Sequence, residues 1–327
     1  MQFEGIYPVV PTPLNDNESV NLRGLEHLVD HYIMSGCQGL VILGSNGEYP
    51  YFTLEERLKI IEAASAACGK RAPLIIGCGF MSLRETMHFI HACRPLPLDG
   101  LLVALPTYYS LAFDDMLAFF REICRSSPWP VLYYHYPQIT GLFFSPAKMA
   151  QLLNLENMAG MKESAICIRE MKSHIATVQD KEFSLLAGIS FLLLETLHMG
   201  GSGVICPIAV LTPRLVLDCY HAYKAGEHQK ARELQDRILD LIPLMNAPTI
   251  PSWLQKRAFR LLAALPRPSR SAGTRSRHAV IKETLRQLGH PISARVRTPL
   301  PQITAKEQQM IKAFIERNAS LRAAVLG

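Results

Sequence analysis

Met158-Ala159-Gly160-Met161-Lys162-Glu163-Ser164 reads as a short buried strand, apolar and glycine-spaced, with one amine set into it. The run matters because it recurs. Toward the N-terminus similar apolar or β-branched runs stand at Val131–Pro137, Gly100–Pro106, Pro73–Gly79, Gly39–Gly44 and Ile6–Val10, and toward the C-terminus at Phe183–Gly188 and Gly203–Ile208. Between most of them lie stretches of helical periodicity, such as Leu22-Leu25-Leu28-Val29-Tyr32 and Leu58-Ile61-Ala64; the last gap is opened by Ile189-Ser190 and filled by Phe191 to Met199. That alternation predicts parallel strands joined by crossover helices. Eight such units within roughly 210 residues predict an α/β fold, a (β/α)8 TIM barrel. An open doubly wound sheet is disfavoured because no Gly-x-Gly-x-x-Gly follows the first run.

The barrel is expected over residues 1–225 and a C-terminal helical region over 226–327. Helices are predicted at Pro213–Ala225, Gln229–Met245, Trp253–Leu265, His278–Leu288 and Ala305–Ala319, with Pro266–Ser276 and Pro291–Pro301 as exposed connectors. Thr53 and Ser145 are N-cap candidates, the latter followed by Pro146 at the first helical position, and Thr212-Pro213 repeats that pattern.

A chain of 327 residues that is 49% hydrophobic can bury a large core. No apolar run approaches the roughly 18 residues that span a bilayer, and Met1 to Pro13 lacks the basic and apolar parts of a signal segment. The expected address is the cytoplasm, with no membrane partner. Cys37, Cys68, Cys78, Cys93, Cys124, Cys167, Cys206 and Cys219 form no Cys-x-x-Cys pair and no Cys/His cluster, so they are expected as reduced core residues. The net charge of +6 is uneven: residues 254–300 hold eleven Lys and Arg against Glu283 alone. With few interleaved aromatics and no recognised motif, that segment predicts a solvated helical face or a subunit contact, and no nucleic-acid partner.

Lys162 is where chemistry is expected. In a closed, water-poor site desolvation disfavours the ammonium, and the neutral amine is a nucleophile for carbonyl carbon. The structural alternative is a strand-end lysine whose stem lies on apolar neighbours while its head reaches solvent. Barrel enzymes draw their catalytic groups from the carboxyl ends of the strands. The second run ends in Gly44-Ser45-Asn46-Gly47-Glu48, whose backbone and side-chain donors suit a carboxylate, although the same residues make an ordinary turn. The fourth ends in Pro106-Thr107-Tyr108-Tyr109-Ser110, and the fifth carries Tyr133-Tyr134-His135-Tyr136-Pro137. A phenol beside an imine nitrogen or a hydroxyl leaving group can carry protons. An amine, a phenol and a donor loop together suit a 2-oxo acid.

These residues resemble the class I pyruvate aldolases and synthases of the dihydrodipicolinate synthase and N-acetylneuraminate lyase type. GIYPVVPTPL (5–14), GSNGE (44–48), YHYPQITG (134–141), GMKE (160–163) and the turn Gly200–Val204 resemble that family's motifs in order and spacing, over roughly residues 3 to 245. The resemblance implies Lys162 as the Schiff-base lysine, Tyr134 as proton shuttle, and Ser45 as a relay beside it. Ser45, Asn46 and Gly47 are then expected to hold the substrate carboxylate, with His135, Ile139, Ile189, Ser190 and Ile205 as further substrate contacts. A tyrosine of the Tyr108-Tyr109 pair, Tyr109 by preference, is expected to reach a neighbouring subunit's site in a homotetramer built as a dimer of dimers. The implied reaction joins or cleaves pyruvate and an aldehyde, with no metal or organic cofactor.

Departures from the family's patterns bear on specificity. Ile139 stands where dihydrodipicolinate synthases carry an arginine, Ile189 and Ser190 where sialic-acid lyases present acids, and His135 replaces a usual asparagine. With Phe80, the two isoleucines are expected to make the distal pocket more apolar than in either of those enzymes. Tyr49 and Pro50 after the loop resemble the 4-hydroxy-2-oxoglutarate aldolase branch. Rival readings are a condensing enzyme of the dihydrodipicolinate synthase kind, an imine-dependent dehydratase or deaminase, and a barrel that binds a 2-oxo acid without catalysis.

Overall fold

Eight strands form at the eight apolar runs: β1 Gly5–Pro8, β2 Leu40–Ile42, β3 Leu74–Cys78, β4 Gly100–Ala104, β5 Val131–His135, β6 Met158–Glu163, β7 Ser184–Ala187 and β8 Gly203–Cys206. The structure is a computed structural model that describes residues 2–245 except 107, 110, 166 and 179–181, then 257, 261 and 277–326. Neighbouring strands run parallel in the order β1-β8-β7-β6-β5-β4-β3-β2. The two ends meet through a parallel bridge between Val9 and Val41, where the Val10 N–H bonds the Val41 carbonyl at 2.9 Å. The sheet therefore closes into a barrel ringed by helices.

Successive strand side chains point to opposite faces, and here both faces are buried. Tyr7, Val41, Ile75, Leu102, Leu132 and Leu186 pack into the barrel interior. Ile6, Ile42, Ile76, Val103, Tyr133 and Met161 pack outward against the helices. Burial on both sides is why the strands read as continuous apolar runs without alternation. Gly203 answers a steric need where β8 begins. Its φ is +146°, and a Cβ there would lie 2.0 Å from the Gly5 carbonyl oxygen of the paired strand.

Thr53 caps the helix Leu54–Cys68 in a reciprocal box with Glu56, and Ser145 caps Pro146–Leu153. Thr212 precedes the helix Pro213–Lys224, but its side chain makes no capping bond. All eight cysteines are buried, and none forms a disulfide. The helix expected over Gln229–Met245 is instead two, His228–Leu239 and Ile242–Met245. Pro243 has no N–H to continue the ladder, so the chain turns and restarts. The expected helix Trp253–Leu265 and connector Pro266–Ser276 lie outside the described residues, Arg257 and Leu261 excepted. Helices at Arg277–Gln287 and Ala305–Arg317 match their expected positions. Among the described residues no helix is long and apolar enough to cross a membrane.

The segment Pro291–Pro301 is not the exposed connector its composition suggests. Ile292 and Val296 are buried, Ser293 Oγ donates to the Leu14 carbonyl at 2.6 Å, and the Arg297 N–H donates to Glu48 Oε2 at 2.7 Å. Several of the basic residues described within 254–300 are paired with acids. Lys282 pairs with Glu48, Arg286 with Glu283 and Arg297 with Glu56.

Candidate active site

Lys162 faces the barrel interior because it shares register with Tyr134 on one side and Leu186 on the other, both interior residues. Only 3% of it is exposed. Burial pushes its amine down to about 7, an effect the neighbouring Cys206 thiol partly opposes. Its Nζ lies 4.1 Å from the centre of the Tyr134 ring. At neutral pH a large share of this lysine is a free amine, and among the described residues no carboxylate forms an ion pair with it.

Tyr134 is buried, and its hydroxyl lies 3.2 Å from Ser45 Oγ. Burial raises the phenol to about 12, tempered by hydrogen bonds with Ser45 and Ser164. The phenol is therefore protonated at rest, with two hydroxyl neighbours through which a proton can move. Its ring stacks on Tyr136 at a centroid distance of 5.6 Å.

Ser45, Asn46 and Gly47 form one tight helical turn after β2. Leu43 and Glu48 flank it with φ of 55° and 58°, left-handed conformations that non-glycine side chains seldom adopt. Thr12 Oγ1 donates to the Gly47 carbonyl at 2.8 Å, and His278 Nε2 lies 2.9 Å from the Ser45 carbonyl oxygen. Asn46 Nδ2 is buried with no hydrogen-bond partner among the described residues. A buried donor left open beside a serine hydroxyl suits a ligand oxygen.

The remaining expected residues divide. Ile205 belongs to the interior cluster with Tyr134 and Leu186. Ser190 is fully buried at the start of the turn after β7, its hydroxyl against the Cys206 sulfur and its carbonyl accepting from Gln235. Ile189 packs on the outer cluster. Ile139 is 59% exposed on the short helix Pro137–Thr140. Tyr108 and Tyr109 meet edge to face on an exposed loop, and the fold of this one chain does not bring them to Lys162. Phe80 lies under the Arg57 guanidinium at 4.1 Å, and Arg57 Nε donates to the Phe52 carbonyl, so a buried cation adjoins one of the residues expected to make the pocket more apolar.

His135 is not among the residues gathered around Lys162. It follows inward-facing Tyr134 and so points outward, where its Nδ1 lies 3.0 Å from the Tyr133 hydroxyl and its Nε2 4.0 Å from Glu163 Oε1. Glu163 also takes the Ala165 N–H and His174 Nδ1, each at 2.7 Å. Burial drives His135 down to about 4, against the pull of Glu163. This is a structural network behind the sheet.

Ser164 was missed as a site residue, yet it stands two positions after Lys162 and so faces the same side of the extended chain. Gly188 leaves it room: a Cβ at Gly188 would lie 1.8 Å from Ser164 Oγ. The strand periodicity was the signal for Ser164; the need for glycine at 188 is a packing fact. Among the described residues no three His, Cys, Asp or Glu side chains group as a metal site.

Comparison with known proteins fits this geometry. The sequence profile of the Dihydrodipicolinate synthetase family matches residues 2–267. A 4-hydroxy-tetrahydrodipicolinate synthase of Syntrophus aciditrophicus is 30% identical over 250 residues, 76% of this chain and 85% of that protein. YjhH of Escherichia coli K12, a probable 2-dehydro-3-deoxy-D-pentonate aldolase, is 28% identical over 243 residues, covering 73% and 81%. The crystal structure of YagE from E. coli K12, a family member in complex with pyruvate, superposes with a TM-score of 0.83 at 26% identity, over 96% of this chain and 98% of that one. With a profile match across most of its length, and the same barrel, this chain belongs to the dihydrodipicolinate synthetase family.

Proposed function

We infer that the chain is a class I aldolase: Lys162 forms an imine with pyruvate or a 2-oxo acid, and a carbon–carbon bond to an aldehyde is made or broken. The observation that carries this is the buried Lys162 amine, pushed down to about 7, against the Tyr134 ring, with the Tyr134 hydroxyl on Ser45. The aldolase name of YjhH and the pyruvate bound to YagE support the substrate class.

The amine attacks the keto carbon to give a carbinolamine. Tyr134 donates its proton to the departing hydroxyl, water leaves, and a protonated imine and a phenolate remain. In the cleavage direction the phenolate takes the proton of the substrate's hydroxyl. The carbon–carbon bond then breaks, its electron pair flows into the imine to give an enamine, and the aldehyde departs. Protonation of the enamine carbon and hydrolysis return pyruvate and the amine. Ser45 and Ser164 serve the proton's path. Asn46 Nδ2 and the Ser45 turn receive the carboxylate, whose charge the developing imine needs balanced. The exposed Tyr108–Tyr109 pair is suited to a subunit contact, in keeping with a homotetramer in which Tyr109 completes a neighbour's site.

The same imine would serve a condensing enzyme, and the synthase from S. aciditrophicus favours that reading. The aliphatic Ile139 disfavours it, since it offers no cation to a second carboxylate. Intact mass after incubation with pyruvate and borohydride tests the imine: a reduced pyruvate adduct on the parent and none on Lys162→Ala is expected. A folded parent that traps no 2-oxo acid would overturn the reading.

A further inference from the structure

The turn Ser45–Gly47 is held from outside the barrel by residues far along the chain. Lys282 Nζ lies 2.5 Å from Glu48 Oε1, and both side chains are fully buried. Glu48 Oε2 accepts the Arg297 N–H at 2.7 Å, Lys282 also donates to the Arg295 carbonyl at 2.7 Å, and His278 Nε2 meets the Ser45 carbonyl at 2.9 Å. The helix Arg277–Gln287 thus grips both ends of the turn that carries the Ser45 hydroxyl and the open Asn46 amide.

We propose that Lys282 and His278 are positioning residues for the carboxylate-binding turn: the C-terminal helix sets the shape in which Ser45 and Asn46 receive the 2-oxo acid. The inference rests on the imine reading above. Glu48 and Leu43 hold left-handed backbone that short loops relax from when nothing over-determines them. Glu48 is also a buried carboxylate, which water would reclaim without its cation. The buried Lys282–Glu48 pair closes both routes of relaxation. The turn itself contributes two backbone bonds, Gly47 N–H to the Gly44 carbonyl at 2.9 Å and Glu48 N–H to the Ser45 carbonyl at 3.0 Å, but no side-chain cap, and neither bond neutralises the Glu48 carboxylate.

The test is the pyruvate concentration at half-maximal borohydride-trapped adduct, read with melting temperature, in the full chain. Lys282→Met leaves Glu48 unpaired, so half-saturation should rise about tenfold or more, while Lys162 still traps at saturating pyruvate. Replacing both members of a buried ion pair costs far less than removing one. The double variant Glu48→Gln with Lys282→Met, whose side-chain amide oxygen still accepts the Arg297 N–H, should recover most of the affinity. If Lys282→Met does not fold, His278→Leu carries the test, with an expected rise of roughly threefold or more. A lower melting temperature with parental half-saturation, or a folded double variant without recovery, overturns the proposal. A parent that traps nothing overturns the imine reading together with it; a parent that traps and variants that match it overturn this inference alone.

Discussion

Lys162 and Tyr134 are register partners on adjacent strands, and the lysine nitrogen stands 4.1 Å from the centre of the tyrosine ring. A ring face attracts a cation, but burial works against the charge and takes the amine down to about 7. Nucleophile and phenol thus face each other with the amine partly neutral and the phenol protonated, as imine formation requires.

That relationship fixes a pH dependence. Only the neutral amine attacks, so the trapping rate with pyruvate should climb as pH rises through about 7 and then level off. Stopped reactions reduced with borohydride across the range from about pH 5.5 to 9 measure it. A midpoint near the ordinary lysine value would contradict the burial argument.

The same burial costs stability. Between about 7 and the ordinary lysine value of 10.5 the unfolded chain binds a proton at this residue that the folded chain does not. The penalty is complete below about 7 and fades as pH rises toward 10.5. Lys162→Met, which keeps the stem and removes the charge, should therefore stabilise the fold by a few kcal/mol in order of magnitude. Urea unfolding should show a larger gain at about pH 6 than at about pH 9.

Tyr134→Phe keeps the ring under Lys162 and deletes the proton carrier. Turnover should fall by about 10² to 10⁴ while the adduct still forms slowly. Ser45→Ala, which removes one hydroxyl partner of the phenol and one ligand donor, should cost roughly tenfold in kcat/KM. Initial rates beside single-turnover trapping separate the two effects, and a Tyr134→Phe enzyme with parental kcat would remove the phenol from the mechanism.

Gly188 is required by its neighbours. An added Cβ would sit 1.8 Å from Ser164 Oγ and 3.1 Å from the Glu163 carbonyl oxygen, which already accepts the Gly188 N–H at 2.6 Å. Gly188→Ala should destabilise by about 1 to 3 kcal/mol. It should also displace Ser164 from Tyr134, so activity falls further than stability alone explains. Adding Ser164→Gly should return stability but not activity, as chemical denaturation and kinetics on the double variant would show.

On the acid side His135 should dominate first. Its folded value of about 4 lies below the ordinary 6.5, so the unfolded chain protonates earlier and stability falls as pH drops through that window. The full loss is about 3 kcal/mol. Glu163 follows at lower pH: burial raises its carboxyl, but His135 and His174 outweigh that and hold it below 4.5. The stability it adds above 4.5 is lost as pH falls further. His135→Asn should flatten the first slope in denaturant titrations, and an unchanged slope would show that His135 titrates normally.

The sequence by itself determined the eight strands and their order. A parallel barrel buries both faces of each strand, which writes every strand as an apolar run between helical periods. It also marked Lys162, Tyr134 and Ser45, since a lone amine, a phenol and a glycine-bounded turn at strand ends are local patterns. Alternation beside Tyr134 implies the outward face for His135 and the inward face for Ser164, which the family motifs do not distinguish. What only the tertiary structure decided is which distant groups meet. For Lys282 and Arg297 the basic composition of residues 254–300 suggests a solvated face, because a sequence window sees the charges and not the acids that packing brings to them. Closing the chain over the barrel put Lys282 on Glu48 and Arg297 on Glu56. A buried ammonium either has its partner in place, as Lys282 has, or gives up its proton readily, as Lys162 does.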